Sequence, residues 1–235
     1  MKEKVIGILG GMGPEATAEL FCRIIKETPA RRDQEHIRII VDNNPKIPDR
    51  TAAILGEGES PLPEMIRTAK NLERVGVDFI VMPCVTAHYY YEDLQKSVKI
   101  PILNMVELTA QTLAKDFPAV KNAGFLGTTG TIKSKIFDKA LGRVGVKVVY
   151  PSPRSQERVM EAIYSFIKAG KIHDGRKIVL EEANRLIDAG ADAVICGCTE
   201  ISLVLKDGDI AKPVIDPLQI LARTAVMFAF GKGKF

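Results

Sequence analysis

Long apolar runs are missing from this sequence, and none approaches the roughly 20 residues that a membrane-spanning helix needs. The first apolar run, Val5–Leu9, stops at glycines, which reads as a buried strand and not as a signal-peptide core. Charge of one sign is nowhere concentrated. Lys and Arg number 33 against 29 Asp and Glu, a net charge of +4, with no block that marks a nucleic-acid footprint or a membrane anchor. Histidine is scarce: His36, His88 and His173 show no ligand spacing, and Cys196 and Cys198 alone make no zinc site, so no metal is expected. Cysteine is scarce too. Four cysteines without framework spacing or an export signal fit a reducing cytoplasm, where a special cysteine is chemical rather than structural. The expected partner is therefore a small molecule, with neither nucleic acid nor membrane.

What is present is a core-forming α/β pattern, with 46% hydrophobic residues in 235. Val5–Leu9, Ile37–Val41, Phe79–Met82, Ile102–Leu103, Gly124–Leu126, Lys147–Tyr150, Ala193–Cys196 and Val214–Ile215 read as strands. Most are uniformly apolar, as parallel strands covered on both faces are. Helical patterns alternate with them over Pro14–Glu27, Pro63–Arg74, Ala87–Ser97, Val106–Lys115, Lys133–Gly142, Ser155–Ala169, Gly175–Ala189 and Leu218–Phe230. Such alternation predicts an α/β protein with parallel sheets.

The two halves echo each other. Gly76-Val77-Asp78 and Gly190-Ala191-Asp192 each precede an apolar strand that ends in a cysteine, Cys84 or Cys198, eight residues after the glycine. A threonine follows closely in both, Thr86 and Thr199. Downstream, Ile100–Asn104 echoes Lys212–Asp216, and upstream, Val5–Gly10 echoes Asn122–Gly127. The shared order of these features points to duplication of one α/β unit.

In a parallel sheet, ligands bind beyond the carboxyl ends of the strands, and both cysteines fall there, each before a predicted helix. Taken singly, a cysteine at a strand end is a small hydrophobe. Two at equivalent positions of a repeat point to chemistry: a pseudo-two-fold axis sets the sulfurs on opposite sides of one cleft. One thiolate then removes a proton from one face of a carbon, and the opposite thiol returns a proton to the other. Cys22 and Cys196 read as core. Gly11-Met12-Gly13-Pro14-Glu15-Ala16 satisfies a dinucleotide-binding pattern, with Asp42 at the end of the next strand; more securely, it lets backbone approach an anion at a helix N-terminus. Thr128-Thr129-Gly130-Thr131 occupies the equivalent turn. The segment Asn43–Thr51 reads as a solvated loop whose Arg50 can form bidentate bonds to a carboxylate if it folds over the cleft. Lys168 reads as a charge at a helix end, His88 as a cap or packing residue, and Glu200 as a ligand for backbone amides or a support for its turn.

Together these segments resemble the aspartate/glutamate racemase family. The resemblance rests on Gly10-Gly11-Met12-Gly13-Pro14 with Ala16-Thr17, Ile47-Pro48-Asp49-Arg50-Thr51, Met82-Pro83-Cys84 with Thr86-Ala87-His88, Thr128-Thr129-Gly130-Thr131, Lys168-Ala169-Gly170 and Gly197-Cys198-Thr199-Glu200. It implies two similar α/β domains related by pseudo-two-fold symmetry, with the active cleft between them. The expected division is 1–101 plus 212–235 for the first domain and 102–211 for the second. It also implies a homodimer, no pyridoxal phosphate or other cofactor, and an amino-acid substrate. Cys84 and Cys198 match the family's catalytic pair. Arg50 and Lys168 match residues that hold substrate carboxylates. Met12, Thr86, Thr128, Thr129 and Thr199 match positions that line the site, and Glu200 adjoins them. Val85 departs from the family's usual asparagine. A hydrogen bond to a charged group is worth about 1.5–3 kcal/mol, so its loss weakens carboxylate binding roughly ten- to a hundred-fold. Aspartate is the first expectation, then glutamate. The alternatives are a related isomerase or racemase with altered specificity, a binding protein without turnover and, on the first-turn pattern alone, a nicotinamide-dependent oxidoreductase.

Overall fold

The computed structural model describes residues 3–232. The first half runs β1 (Ile6–Gly10), α1 (Pro14–Glu27), β2 (Ile39–Asn43), α2 (Arg50–Leu55), α3 (Leu62–Arg74), β3 (Phe79–Val81), a 3-10 turn over Thr86–Tyr90, and α4 (Tyr91–Ser97). Next, α5 (Met105–Asp116) leads to β4 (Asn122–Gly127), α6 (Thr129–Ser134), α7 (Ile136–Gly142), β5 (Lys147–Val149) and α8 (Pro153–Glu161). A π-helical turn over Ala162–Ile167 precedes α9 (Ile172–Asp188), β6 (Ala193–Gly197), α10 (Ile201–Val204), β7 (Val214–Ile215) and α11 (Pro217–Ala229).

Two parallel sheets result, in the orders β2-β1-β3 and β5-β4-β6-β7. Ile102, expected in a two-residue strand, makes a single parallel bridge to Ile80, in the place that β7 takes beside β6. The repeat is visible in its polar details. Asp78 Oδ2 accepts from the Val5 amide at 2.6 Å, and Asp192 Oδ2 from the Asn122 amide at 2.9 Å, pinning equivalent strand starts. Asn104 caps α5 and Asp216 caps α11, each through two amides of the first turn. Two similar α/β units, each a parallel sheet flanked by helices, are therefore present.

The strands are uniformly apolar because both faces are covered. Alternate residues of β1 and β4 serve different cores. Ile6, Ile8, Ala123 and Phe125 enter one central core with α1, α5, α7 and α11, which both halves share. Leu9, Ile80 and Met82 face an outer core with α3, and Leu126, Val194 and Cys196 face another with α9. Sheet pairing differs from the expected division at both joints. Ile102 bridges to the first sheet and Val214–Ile215 extend the second, because each closes the βα unit that precedes it. Helix α11 crosses back onto α1 and also meets α5. Residues 1–2 and 233–235 of that division lie outside the described residues.

Other elements also depart from expectation. The helix expected over Lys133–Gly142 breaks at Lys135, which takes φ 58°. The one expected over Ser155–Ala169 loosens into the π turn. The loop expected over Asn43–Thr51 is present from Asn44 to Asp49, but Arg50 and Thr51 open α2, capped by Asp49 and stopped by left-handed Gly56; at six residues this helix is too short for periodicity to show.

His88 is a joint of this framework. The Met105 amide donates to its Nε2 at 3.1 Å, so the ring proton lies on Nδ1, which donates to the Cys84 carbonyl at 2.8 Å. Burial lowers its pKa from 6.5 to about 4. The unfolded chain thus binds a proton that the folded one refuses between these values, so stability is whole above about pH 6.5 and is lost as pH falls, by about 3 kcal/mol at pH 4. Thermal unfolding against pH will show this slope, and His88→Asn will flatten it. The close approach of β6 to β4 sets a second expectation. A methyl on Gly197 would lie 2.1 Å from Phe125 Cζ, whereas one on Gly142 meets nothing within 4 Å. Gly197→Ala should cost about 1–3 kcal/mol, while Gly142→Ala should be neutral or stabilising by up to about 1 kcal/mol, read as shifts in Tm.

Candidate active site

Strand β3 delivers Met82-Pro83-Cys84 at its carboxyl end, and β6 delivers Cys198 at its own. The two thiols come from equivalent points of the two sheets and line one small cavity between the halves. Each cysteine is 5% exposed. The volume left between them is about 10 Å³, the room that one water needs. The site is nearly closed, which strengthens every electrostatic interaction inside it.

On the first-half side, Arg50 opens α2 and is buried. Its Nη1 donates to the carbonyls of Ile47 and Pro48 at 3.3 and 3.0 Å, and its Nη2 to that of Met12 at 3.3 Å. Its Nε is buried without a partner, a donor left for a ligand. Burial works against the guanidinium charge, yet neighbouring Cys84 and Asp49 outweigh it and hold the Arg50 pKa above its ordinary value.

The second-half side is furnished differently. Cys198 Sγ donates to Glu200 Oε2 at 2.8 Å. Burial pushes the Cys198 thiol up, and the Glu200 carboxylate pushes it further, against the pull of Lys168. Lys168 Nζ stands 3.9 Å from Glu200 Oε1 and 4.4 Å from the centre of the Tyr164 ring. The pair is therefore asymmetric: a thiol hydrogen-bonded to a carboxylate faces a sulfur beside a guanidinium.

Most expected site residues meet here. Met12, Arg50, Cys84, Val85, Thr86, Thr128, Lys168, Cys198, Thr199 and Glu200 all line the cavity. Thr86 and Thr128 lie 3.0 Å apart, and each reaches Thr131, forming a trio of hydroxyls across the two halves. Thr129 does not line the cavity. It sits one residue into α6, where its amide donates to Met160 Sδ and its hydroxyl accepts from Gln156. Glu200, expected to bind backbone amides or support its turn, takes the Cys198 proton donor instead. Val85 contributes an apolar surface, 1% exposed.

Sequence reasoning missed Asp49, Thr51 and Tyr164, which complete the lining. Asp49 stands beside Arg50 in the motif and was the available signal, whereas Tyr164 lies in the π turn, whose register a helical pattern does not give. Tyr164 donates to Asp49 Oδ2 at 3.0 Å and so ties the second half to the first over the site. The dinucleotide pattern has a different use. A side chain on Gly11 would strike the Asn44 backbone at 2.2 Å, and one on Gly13 would lie 3.2 Å from Glu200 Oε1. The glycines admit a neighbouring loop and a carboxylate of the other half at the N-terminus of α1, where the helix dipole favours an anion.

Among the described residues, no helix is long and apolar enough to cross a membrane, and no group of three or more His, Cys, Asp or Glu is placed to hold a metal ion. The profile of the Asp/Glu/hydantoin racemase family matches residues 9–225. The broad specificity amino-acid racemase RacX of Bacillus subtilis (strain 168) is 31% identical over 228 residues, covering 94% of this chain and 96% of that protein. The structure of Picrophilus torridus aspartate racemase aligns with a TM-score of 0.88 at 33% identity, over 99% of this chain and 96% of the other. An aspartate racemase homologue from Pyrococcus horikoshii OT3 aligns with a TM-score of 0.75 at 26% identity, over 97% and 99%. With a profile match across most of its length and relatives matched over nearly all of theirs, this chain belongs to the Asp/Glu/hydantoin racemase family.

Proposed function

We propose that this protein is a cofactor-independent amino-acid racemase in which Cys84 and Cys198 act as opposed acid and base. The observation that carries the reading is the meeting of two pseudo-equivalent thiols in one closed cavity, each with its own charged partner. The Cys84 thiolate, held by Arg50, removes the α-proton, and the Cys198 thiol delivers its own proton to the opposite face. The reverse reaction begins with the proton on Cys84. The carbanion-like intermediate is stabilised by preorganised donors, for which Arg50 Nε, the threonine hydroxyls and Lys168 are the nearest candidates.

Aspartate is the first substrate on this reading, because Arg50 and Lys168 offer two cations for two carboxylates. Val85 supports a second reading, a substrate with a less polar side chain, since it supplies no donor to the cavity. The names of the two relatives, an aspartate racemase and a broad specificity racemase, bracket this choice.

Incubation of the reduced protein with L-aspartate in deuterium oxide is expected to give α-proton exchange by NMR and D-aspartate on a chiral column. Racemisation of neutral amino acids alone selects the second reading. Silence across a panel of amino acids overturns both. Cys84→Ala and Cys198→Ala should each reduce racemisation by at least about a thousandfold, given what acid–base groups contribute; full turnover by either folded variant rejects the two-base assignment.

Glu200 gives a separate pH expectation. The active pair holds one proton, so kcat/KM should be bell-shaped in pH and identical from both enantiomers, which are equal in free energy. The alkaline limb reports loss of the Cys198 proton. Glu200→Gln removes a negative neighbour that raises this pKa, so the limb should move to lower pH, while burial still keeps it above that of an exposed thiol. An unmoved limb denies Glu200 this role.

A further inference from the structure

A cavity of about 620 Å³ lies away from the cysteines, at the carboxyl end of β7 between α1, the end of α5 and the start of α11. Its size suits a small organic molecule. The duplicated fold makes this groove twice: the equivalent one, of about 420 Å³, lies beyond Ile102 and beside Asn104. The two are furnished differently, which separates architecture from use. In the first half, the groove carries Glu92, Glu107 and Arg143, whose guanidinium is tied to Glu107. In the second, Lys26 and Lys206 form no salt bridge among the described residues, though both lie within the electrostatic reach of the Glu19 carboxylate, and Asp116 has no hydrogen bond or ion pair among the described residues. Phe117, Ile220, Val214 and Leu205 supply apolar wall.

The floor is fixed. Arg23, 5% exposed, binds Glu19, Asp216 and the Ser202 carbonyl, so it cannot swing in to fill the space. Ser202, fully buried, also links this floor to the catalytic turn. Its amide donates to the Cys198 carbonyl at 3.3 Å, its hydroxyl donates to Asp216 at 2.7 Å, and its own carbonyl accepts from Lys206 Nζ at 2.5 Å.

We propose that this cavity is a second ligand site, for an α-amino acid with an apolar side chain. Lys26 and Lys206 take the carboxylate, Asp116 takes the ammonium group, and the apolar wall takes the side chain. A ligand carboxylate on Lys206 pulls on the ammonium group that also donates to the Ser202 carbonyl and thereby bears on the turn that holds Cys198. The site stands whether or not the protein racemises anything, because its test reads binding.

Titration calorimetry on the full chain, using L-leucine, 4-methylpentanoate and isopentylamine, decides the matter. Saturable binding of leucine is expected, with a Kd of about 1 mM or below, and binding by the amine-free acid or the acid-free amine should be at least about tenfold weaker. Asp116→Asn and Lys26→Ala should each weaken leucine binding several-fold. Saturating leucine should also change the rate at which a maleimide consumes Cys198, followed by mass spectrometry of the peptide. No saturable heat from leucine overturns the site, and equal binding of 4-methylpentanoate overturns the zwitterion assignment. Leucine heat unaltered by both variants places the ligand in the cysteine cleft and refutes this location. Binding with an unchanged rate at Cys198 refutes the coupling.

Discussion

The geometry of the cysteine pair depends on the central core that both halves share. Ile6 and Ile8 of one sheet and Ala123 and Phe125 of the other bury themselves against the same helices, α1, α5, α7 and α11. Two sheets that share an apolar filling cannot slide past each other without exposing it. Cys84 and Cys198, each at the end of a strand adjoining β1 or β4, are therefore held in a fixed relation by interactions that never touch them. Tight strand contact refines this placement: Gly127 and Gly197 are opposed in the register of β4 and β6, and a side chain on Gly197 would enter the Phe125 ring. The glycine immediately before Cys198 thus serves packing, and packing aims the thiol.

On this symmetric frame the charges are asymmetric, which gives the proposed two-base exchange a preferred resting state. Two identical thiols would share one proton with no preferred state. Here Arg50 stands beside one sulfur, and a carboxylate accepts from the other. Burial and the Glu200 carboxylate hold the proton on Cys198, while the closeness of Lys168 to Glu200 limits how strongly. Burial amplifies both influences, because little water is left in the cavity to screen them.

The parts of this arrangement that the sequence discloses are those carried by local pattern. Uniformly apolar strands, the Gly76–Cys84 and Gly190–Cys198 echo, and Pro14 in the first turn of α1 each reflect one segment's own needs. Tyr164 shows the limit. Its place over the site depends on the π turn that follows α8, and a helical pattern counted at 3.6 residues per turn does not carry that shift. Thr129 fails for a related reason: it sits in a turn rich in hydroxyls, but beyond the cap Thr128 the helix turns it toward Gln156 and Met160. The glycines of the first turn fit two uses, and only the position of Glu200, which is 187 residues from Gly13 in the chain, distinguishes a carboxylate neighbour from a bound pyrophosphate.

A cavity with room for about one water cannot admit an amino acid, so binding at the cysteines has to part the halves somewhere, and the contacts differ in cost. The threonine trio of Thr86, Thr128 and Thr131 is buried, and parting it leaves polar groups without partners at about 1–3 kcal/mol each. The rim is cheaper. Tyr164 is itself 37% exposed, so water can replace Asp49 as its partner when the two separate. The rim also opens outward: Asp49, Arg50, Lys168 and Glu200 line both the inner cavity and a larger cleft of about 510 Å³ outside it. Energetically, entry belongs at this rim. The groups that would part there include the two cations that the proposed mechanism assigns to substrate carboxylates, so binding energy gained at Arg50 and Lys168 is available to close the site in the step that positions the α-carbon between the sulfurs.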